Sequence, residues 1–182
     1  TVTTTINDNT NTTPPVNPPE APEGDREDTI VKLVACDELG NAIIIGGNYT
    51  FVNDVYEEGT PQYKALAFDS SNTTFADGSE LANQLGSVTV SSADNNGAPV
   101  SGTDATTGAD YTALATTTVA LDTAFSMTTL DDNIADNGET YTVSIGSYVE
   151  PTVGDKYENV TASGTVTTTI NDNTNTTPPV NP

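Results

Sequence analysis

Histidine and tryptophan are absent from this 182-residue chain, and Cys36 is its one cysteine. Without histidine the chain lacks the usual general base, and Ser-His-Asp and Cys-His catalytic arrangements are excluded. A single cysteine rules out a disulfide within the chain and, with histidine missing, makes a thiolate-based zinc site untenable. These scarcities predict a protein that is not an enzyme, in which Cys36 serves as a small buried hydrophobe.

Basic residues are also scarce. Arg26, Lys32, Lys64 and Lys156 stand against 26 aspartates and glutamates, which gives a formal net charge of −22. A surface of this sign repels nucleic acid and anionic membranes, so neither is expected as a partner. No apolar run reaches the roughly 18 residues of a membrane span. Four bases cannot offset so many carboxylates, and divalent cations are the expected counter-charge.

The segment TVTTTINDNTNTTPPVNP occurs twice, at Thr1–Pro18 and again at Thr165–Pro182. An identical segment at a long spacing is typical of a tandem array of domains, so neighbouring identical repeats in the same chain are the expected partners. A unit of roughly 150 residues is long enough to fold alone. We therefore predict the end of a preceding repeat and a proline-rich linker over residues 1–22, one repeat over residues 23–173, and the start of the next linker over residues 174–182.

Short runs of alternating apolar residues begin at Thr29. Within each run the apolar positions share one parity: Val31, Leu33 and Ala35; Val88 and Val90; Val119 and Leu121; Phe125 and Met127; Tyr141, Val143 and Ile145; and Val160, Ala162, Val166, Thr168 and Ile170. Period-two patterning, frequent Thr and Val, and Gly, Asn and Asp between the runs indicate half-buried antiparallel strands. About seven or more such strands predict an all-β fold, a Greek-key Ig-like β-sandwich.

The segment 41–86 differs from this alternating pattern. It holds six of the eleven aromatic residues, which are Tyr49, Phe51, Tyr56, Tyr63, Phe68 and Phe75. Such a segment is expected to be ordered. Ser79–Leu85, with a serine cap and Gly86 as a stop, predicts a short helix. We expect an insertion between the first two core strands, made of a hairpin and this helix, which either covers a sheet or binds a ligand.

The loop DDNIADNGE, at Asp131–Glu139, places four carboxylates in nine residues between two strong strands. Calcium takes six to eight oxygen ligands, which carboxylates, amide oxygens and exposed carbonyls can supply. The spacing is not that of an EF-hand, because Gly138 and Glu139 are adjacent. The loop is therefore either a calcium site or a solvated acidic turn.

Four motifs resemble the Calx-beta family. They are Glu23-Gly24, the G-x-D-Y motif at Gly108–Tyr111, the acidic loop Asp131–Glu139, and the tail TINDN at Thr169–Asn173. Their order and spacing match that family over about residues 20–173, apart from the segment 41–86. The resemblance implies a β-sandwich that binds several Ca²⁺ ions through acidic residues gathered at one end.

By this resemblance the side-chain ligands are Glu23, Asp110, Asp131, Asp132, Asp136, Glu139 and Asp172, and the carbonyl of Ile134 is a main-chain ligand. Asp136 stands where the family has glutamate, so its reach is shorter. Asn171 and Asn173 flank one acid in the tail, which lowers the ligand charge. Asp94, in the turn SSADNNG, is expected to lie outside the site, so that its replacement by alanine would change calcium affinity little.

A shorter match relates the tail to the cadherin linker, and Asp25-Arg26-Glu27 is similar to a cadherin ligand motif. Both resemblances imply calcium at domain ends.

The whole chain, which is acidic, rich in Thr, Asp and Asn, and repetitive, resembles the extender repeats of giant bacterial adhesins of the repeats-in-toxin class. This implies type I secretion, an extracellular place at the bacterial cell surface, and a spacer role in cell adhesion and biofilms. The alternative is an adhesion module that binds a host or surface ligand through the segment 41–86.

Overall fold

In the computed structural model the described residues are 28–95, 104–131, 137–157 and 159–173. They form eleven strands: β1 (Thr29–Cys36), β2 (Ile44–Ile45), β3 (Asn48–Tyr49), β4 (Val52–Tyr56), β5 (Gln62–Asp69), β6 (Ser87–Asp94), β7 (Thr117–Ala120), β8 (Phe125–Ser126), β9 (Glu139–Val149), β10 (Val160–Ala162) and β11 (Thr165–Asn171). Among these residues no helix meets the length and apolarity that crossing a membrane requires.

The strands form two main sheets and a small hairpin. The four-stranded sheet has the order β10-β1-β5-β8, the five-stranded sheet has the order β4-β11-β9-β6-β7, and β2 pairs with β3. β1 pairs with β5 along all eight of its residues, antiparallel. β11 lies between β9, to which it is antiparallel, and β4, to which it is parallel. The last two strands run on in one direction, with Ser163 and Gly164 between them, so that the chain passes from one sheet to the other.

One hydrophobic core joins the two sheets, so the predicted all-β sandwich is confirmed. Val31, Leu33 and Ala35 of β1 are fully buried and pack in the same cluster as Val143 of β9 and Val166 of β11. In β11 the buried side chains occupy alternate positions, as the period-two pattern predicts, whereas β1 and β5 each contain four consecutive buried residues. Cys36 is buried as well, and burial raises the pKa of its thiol to about 11, which fits its expected role as a small hydrophobe.

Tyrosines supply the bulk of the core and satisfy their own hydroxyls. The hydroxyl of Tyr63 lies 2.8 Å from that of Tyr141 and 2.6 Å from Oγ1 of Thr168, and all three residues are fully buried. Burial raises the pKa of Tyr63 and of Tyr141. Tyr111 stacks on Tyr141 with ring centroids 4.2 Å apart. The hydroxyls of Tyr63 and Tyr141 therefore link the two sheets, and neither is left unpaired in the core.

The predicted helix at Ser79–Leu85 is wrong. Its backbone turns instead to the edge of β5, where the amide of Leu81 donates to the carbonyl of Ala67 at 2.8 Å. The side chain of Gln84 accepts from the amide of Ala67 at 2.7 Å and donates to the carbonyl of Leu81 at 2.7 Å. β8 pairs only with the first two residues of β5, so the rest of that edge needs other partners, and these bonds outweigh a local helical preference.

The segment 41–86 is not an insertion between core strands, because β4 and β5 within it belong to the two main sheets. The expected hairpin is present as β2 and β3. The hydropathy pattern did not predict β4, because its buried residue is the polar Asn53 and its exposed residue is the apolar Val52. Segments on either side of β4 and β5 cover the outer face of the four-stranded sheet, where Tyr49, Phe51 and Phe75 pack with Phe68.

Candidate metal-binding end

Carboxylates gather at the end of the sandwich where β4 and β11 finish and β9 starts. These strands share that end because β4 is parallel and β9 antiparallel to β11, with Glu139 paired to Ile170. We call this region the acidic end and define it by Asp54, Glu57, Glu58, Asp94, Asp104, Asp110, Asp131, Glu139 and Asp172.

Four of the eight predicted ligand residues fall in the described part of the chain, and the structure brings all four to the acidic end. The amide of Leu130, next to Asp131, donates to the carbonyl of Asp110 at 2.8 Å. The amide of Asp172 donates to Oδ1 of Asn137 at 2.7 Å, two residues before Glu139. The other four predicted ligands lie outside the described residues: Glu23, Asp132, Ile134 and Asp136.

The G-x-D-Y motif builds a tight turn at this end. Oδ2 of Asp110 accepts from the amide of Thr106 at 2.5 Å, and the amide of Asp110 donates to the carbonyl of Thr106 at 3.0 Å. Gly108 takes a φ of +87°, which favours glycine. Asp110 is only 6% exposed and Tyr111 is fully buried. The aspartate therefore holds the turn while the tyrosine anchors it in the core.

Asp94 belongs to this end, although its sequence context gave no sign of it. Its Oδ1 accepts from the hydroxyl of Tyr111 at 2.6 Å, and from the hydroxyl and amide of Thr107 at 2.7 Å and 2.9 Å. These bonds hold the pKa of Asp94 below its ordinary value of 3.8, while burial and Asp94 raise the pKa of Tyr111 to about 12. Alanine at Asp94 would therefore remove hydrogen bonds that hold the G-x-D-Y turn, while its small expected effect on calcium affinity stays a prediction.

We expect the stabilisation by Asp94 to depend on pH. A group whose folded pKa is lowered stabilises the fold above its unfolded pKa, and this contribution is lost as the pH falls through the folded pKa. Asp94→Asn should therefore lower the melting temperature near neutral pH, and this loss should shrink as the pH falls below the ordinary value of 3.8. Thermal melts from pH 7 downward, with Asp155→Asn as the control, measure this. A constant difference between wild type and Asp94→Asn at all pH values would contradict it.

Asp104 is a second residue that sequence reasoning missed. It forms a bridge with Thr140 at the start of β9, and the amide of Ala105 donates to the carbonyl of Thr140 at 3.1 Å. Oδ2 of Asp104 is buried and has no hydrogen-bond partner. An unpaired carboxylate oxygen in such a place is costly unless a cation or a donor meets it.

β4 and the turn after it add three more carboxylates beside the exit of β11. Asn171 donates through its side chain to Oδ1 of Asp54. Asn173 donates through its amide to Glu57 at 3.3 Å and through its side chain to Glu58 at 3.4 Å. Sequence reasoning missed this turn because it placed residues 41–86 outside the sandwich. The asparagines that flank Asp172 therefore fasten the chain to the body of the domain.

The lysines of the described ranges do not neutralise this end. Lys64 pairs with Asp122 at 3.0 Å, Lys156 pairs with Glu150 at 3.1 Å, and Lys32 donates to Ser163 at 3.1 Å. Within the same ranges no three Asp, Glu or Cys residues converge closely enough to hold a metal ion. The acidic end thus supplies oxygen ligands and negative charge, and a complete coordination shell needs further groups.

Solved structures with a similar chain path include two from Calx. The apo-form Calx CBD1 domain is 13% identical with a TM-score of 0.44, and the match covers 79% of this chain and 97% of that one. CBD12 from CALX1.2 is also 13% identical with a TM-score of 0.44, and the match covers 78% of this chain and 45% of that one. No protein-family model matches the chain. No curated protein sequence matches it either.

Proposed function

We propose that this chain is a non-catalytic structural spacer, an extender repeat of a large secreted bacterial surface adhesin. Calcium at the acidic end and at the interdomain linker folds and stiffens it. The observation that carries this proposal is the fastening of the β11 exit. Asn171 contacts Asp54 of β4, Asn173 contacts the turn after β4, and Asp172 contacts Asn137. Because the chain leaves the domain at a fixed point, the orientation of the next repeat relative to this one is restricted.

Two features support calcium as the ion. The acidic end carries carboxylates with no lysine of the described residues among them, and calcium prefers such hard oxygen ligands. The buried, unpaired Oδ2 of Asp104 fits a cation at this place. Asp104, Asp131, Glu139 and Asp172 would contribute to different Ca²⁺ ions, each completed by the predicted ligands of the acidic loop. These ions would supply the positive charge that offsets their mutual repulsion.

The packing of segment 41–86 on the outer face of the four-stranded sheet favours the spacer role over the ligand-binding alternative. Among the aromatic residues of segment 41–86, Phe68 and Tyr63 are fully buried, Tyr49 is 7% exposed, and Phe51 and Phe75 pack against the second core cluster. Tyr56 is the exposed member. Aromatic side chains used in packing are not available to a partner, so the segment acts as scaffold. The sandwich is proposed to be of the Greek-key Ig-like type and to act outside the cell.

A tandem of two units tests the spacer role. With calcium bound between Asp172 and the body of the domain, the end-to-end distance distribution should be longer and narrower than in chelator. A proline-rich linker keeps some stiffness without metal, so the difference is expected at the junction. Energy transfer between dyes at the two ends measures it. Asp172→Ala should remove most of the calcium effect while each sandwich stays folded, and Asp155→Ala should preserve it. Equal distributions with and without calcium would contradict the spacer mechanism.

A further inference from the structure

Asn137 and Gly138, which lie just before β9, are both held by the end of β11. The side-chain Oδ1 of Asn137 accepts a hydrogen bond from the amide of Asp172 at 2.7 Å. The amide of Gly138 donates to the carbonyl of Ile170 at 2.9 Å. Asn137 is exposed to water. These bonds hold the two groups through which an asparagine and the glycine after it react spontaneously with each other.

Crowding does not prevent this reaction at Asn137. Glycine has no Cβ, so its backbone nitrogen can closely approach the side-chain carbonyl carbon of the residue before it. Gly138 has a φ of +93°, and no other part of the described chain lies within 4 Å of the place where a Cβ would stand. The sequence has one further Asn-Gly pair, at Asn96 and Gly97, which serves as an internal reference in the unfolded chain.

We propose that Asn137 is a site of spontaneous modification whose rate is set by the opening of the β11 exit. The backbone nitrogen of Gly138 bonds to Cγ of Asn137 and gives its proton to hydroxide, while the side-chain nitrogen takes a proton from water and leaves as ammonia. Water then opens the five-membered imide at either of its two carbonyls, and residue 137 becomes aspartate or isoaspartate. The reaction consumes only water, and it is independent of the proposed function.

The two hydrogen bonds to β11 oppose the first step. While Gly138 donates to Ile170, its N–H bond is directed at β11, and while Asn137 accepts from Asp172, its side-chain carbonyl is held at the same strand. Both bonds must break before the nitrogen and Cγ can meet. One such bond changes an equilibrium by roughly fivefold, so two of them should slow the reaction about 30-fold in the folded chain relative to the unfolded chain.

The two products change the acidic end in different ways. Aspartate adds one negative charge and keeps an oxygen that can accept from the amide of Asp172. Isoaspartate carries the main chain through the former side-chain carbonyl, which lengthens the backbone by one carbon directly before β9. This extra atom shifts Glu139 relative to Ile170, with which it forms the first pair between β9 and β11. Conversion to isoaspartate therefore weakens the pairing that delays the reaction.

Mass spectrometry of the full chain, incubated in alkaline buffer with millimolar calcium, measures the reaction. Peptides that contain residue 137 show it as the mass gained when water replaces ammonia, and electron-transfer fragmentation distinguishes isoaspartate from aspartate. In urea, Asn137 and Asn96 should convert at similar rates, and folding should slow the conversion of Asn137 about 30-fold. Equal rates for Asn137 in the folded and the unfolded chain would overturn the proposal.

A matched pair of variants tests the role of the β11 exit. Asn171→Ala removes the side-chain bond to Asp54 and loosens the end of β11, so Asn137 should convert about fivefold faster. Asn159→Ala removes a bond of the same kind to Asp28, where β10 begins at the opposite end of the fold, and should leave the rate unchanged. Melting curves establish that both variants are folded. Two variants that both convert at the wild-type rate, or that accelerate equally, would overturn control by the β11 exit.

Discussion

Calcium at a hundredfold excess over its dissociation constant should stabilise this protein by about 2.7 kcal/mol. For a chain of this length that corresponds to a rise in melting temperature of roughly 5–10 °C. The cause is the acidic end, where carboxylates repel one another and the described lysines pair elsewhere. Magnesium should do much less, because it demands octahedral geometry and keeps its water. Thermal melts in chelator, in millimolar calcium and in millimolar magnesium measure the effect.

Two alanine variants locate the calcium effect. Asp131→Ala removes a proposed ligand and should abolish most of the calcium-induced rise in melting temperature. Asp155→Ala removes an exposed carboxylate beyond the opposite end of β9, and the rise should persist. The same comparison in calorimetry gives the affinity directly. A melting temperature that does not respond to calcium would exclude calcium binding to the folded state, and equal losses in the two variants would exclude the acidic end as the site.

Tyr111→Ala should destabilise the fold by roughly 3–5 kcal/mol, in the range of other aromatic-to-alanine changes in cores. Tyr111 is fully buried, stacks on Tyr141 at 4.2 Å, and donates to Asp94 at 2.6 Å. The substitution leaves a cavity and removes one of the three hydrogen bonds that Asp94 accepts. In thermal melts this corresponds to a loss of roughly 6–20 °C.

Tyr56→Ala is the matched control for this prediction. Tyr56 is 64% exposed at the end of β4, and surface substitutions usually change stability by less than about 0.5 kcal/mol. If Tyr111→Ala costs no more than Tyr56→Ala, then the stacked pair does not anchor the G-x-D-Y turn. The two variants share the same chemistry, so their difference isolates burial and hydrogen bonding.

The strands could be predicted from the sequence where one face of a strand is buried. Val166 and Ile170 in β11 follow period two because the core lies on one side of that strand. In β1 the alternation ends after Leu33, because Val34 packs in the second cluster on the outer face. β4 was not predicted, because its inward-facing residue is Asn53 and its outward-facing residue is Val52. The conformation of the residues after Gly78 was not predicted, because these residues hydrogen-bond to the edge of β5. No local sequence pattern indicates such contacts.

The site could be predicted in part for a similar reason. Carboxylates at strand ends, such as Glu139 at the start of β9 and Asp172 just after β11, come to one end of the sheet because the two strands are antiparallel neighbours. Asp94 and Asp104 could not be found, because their partners Tyr111 and Thr140 are distant in sequence and known only from the fold. Recognition by short motifs identifies the loops that a family uses and misses the residues that hold those loops in place.

The position of β11 also determines how the domain bears tension. The chain enters β1 at Thr29 and leaves β11 at Asn171, at opposite ends and in different sheets. A pull on both ends therefore acts along the strands, and the bonds that join β11 to β4 and β9 are loaded in shear. Bonds loaded in this way share the force and break together, whereas an edge strand peels away one bond at a time. Unfolding under force is governed by this barrier, so the domain should resist extension even where its equilibrium stability is modest.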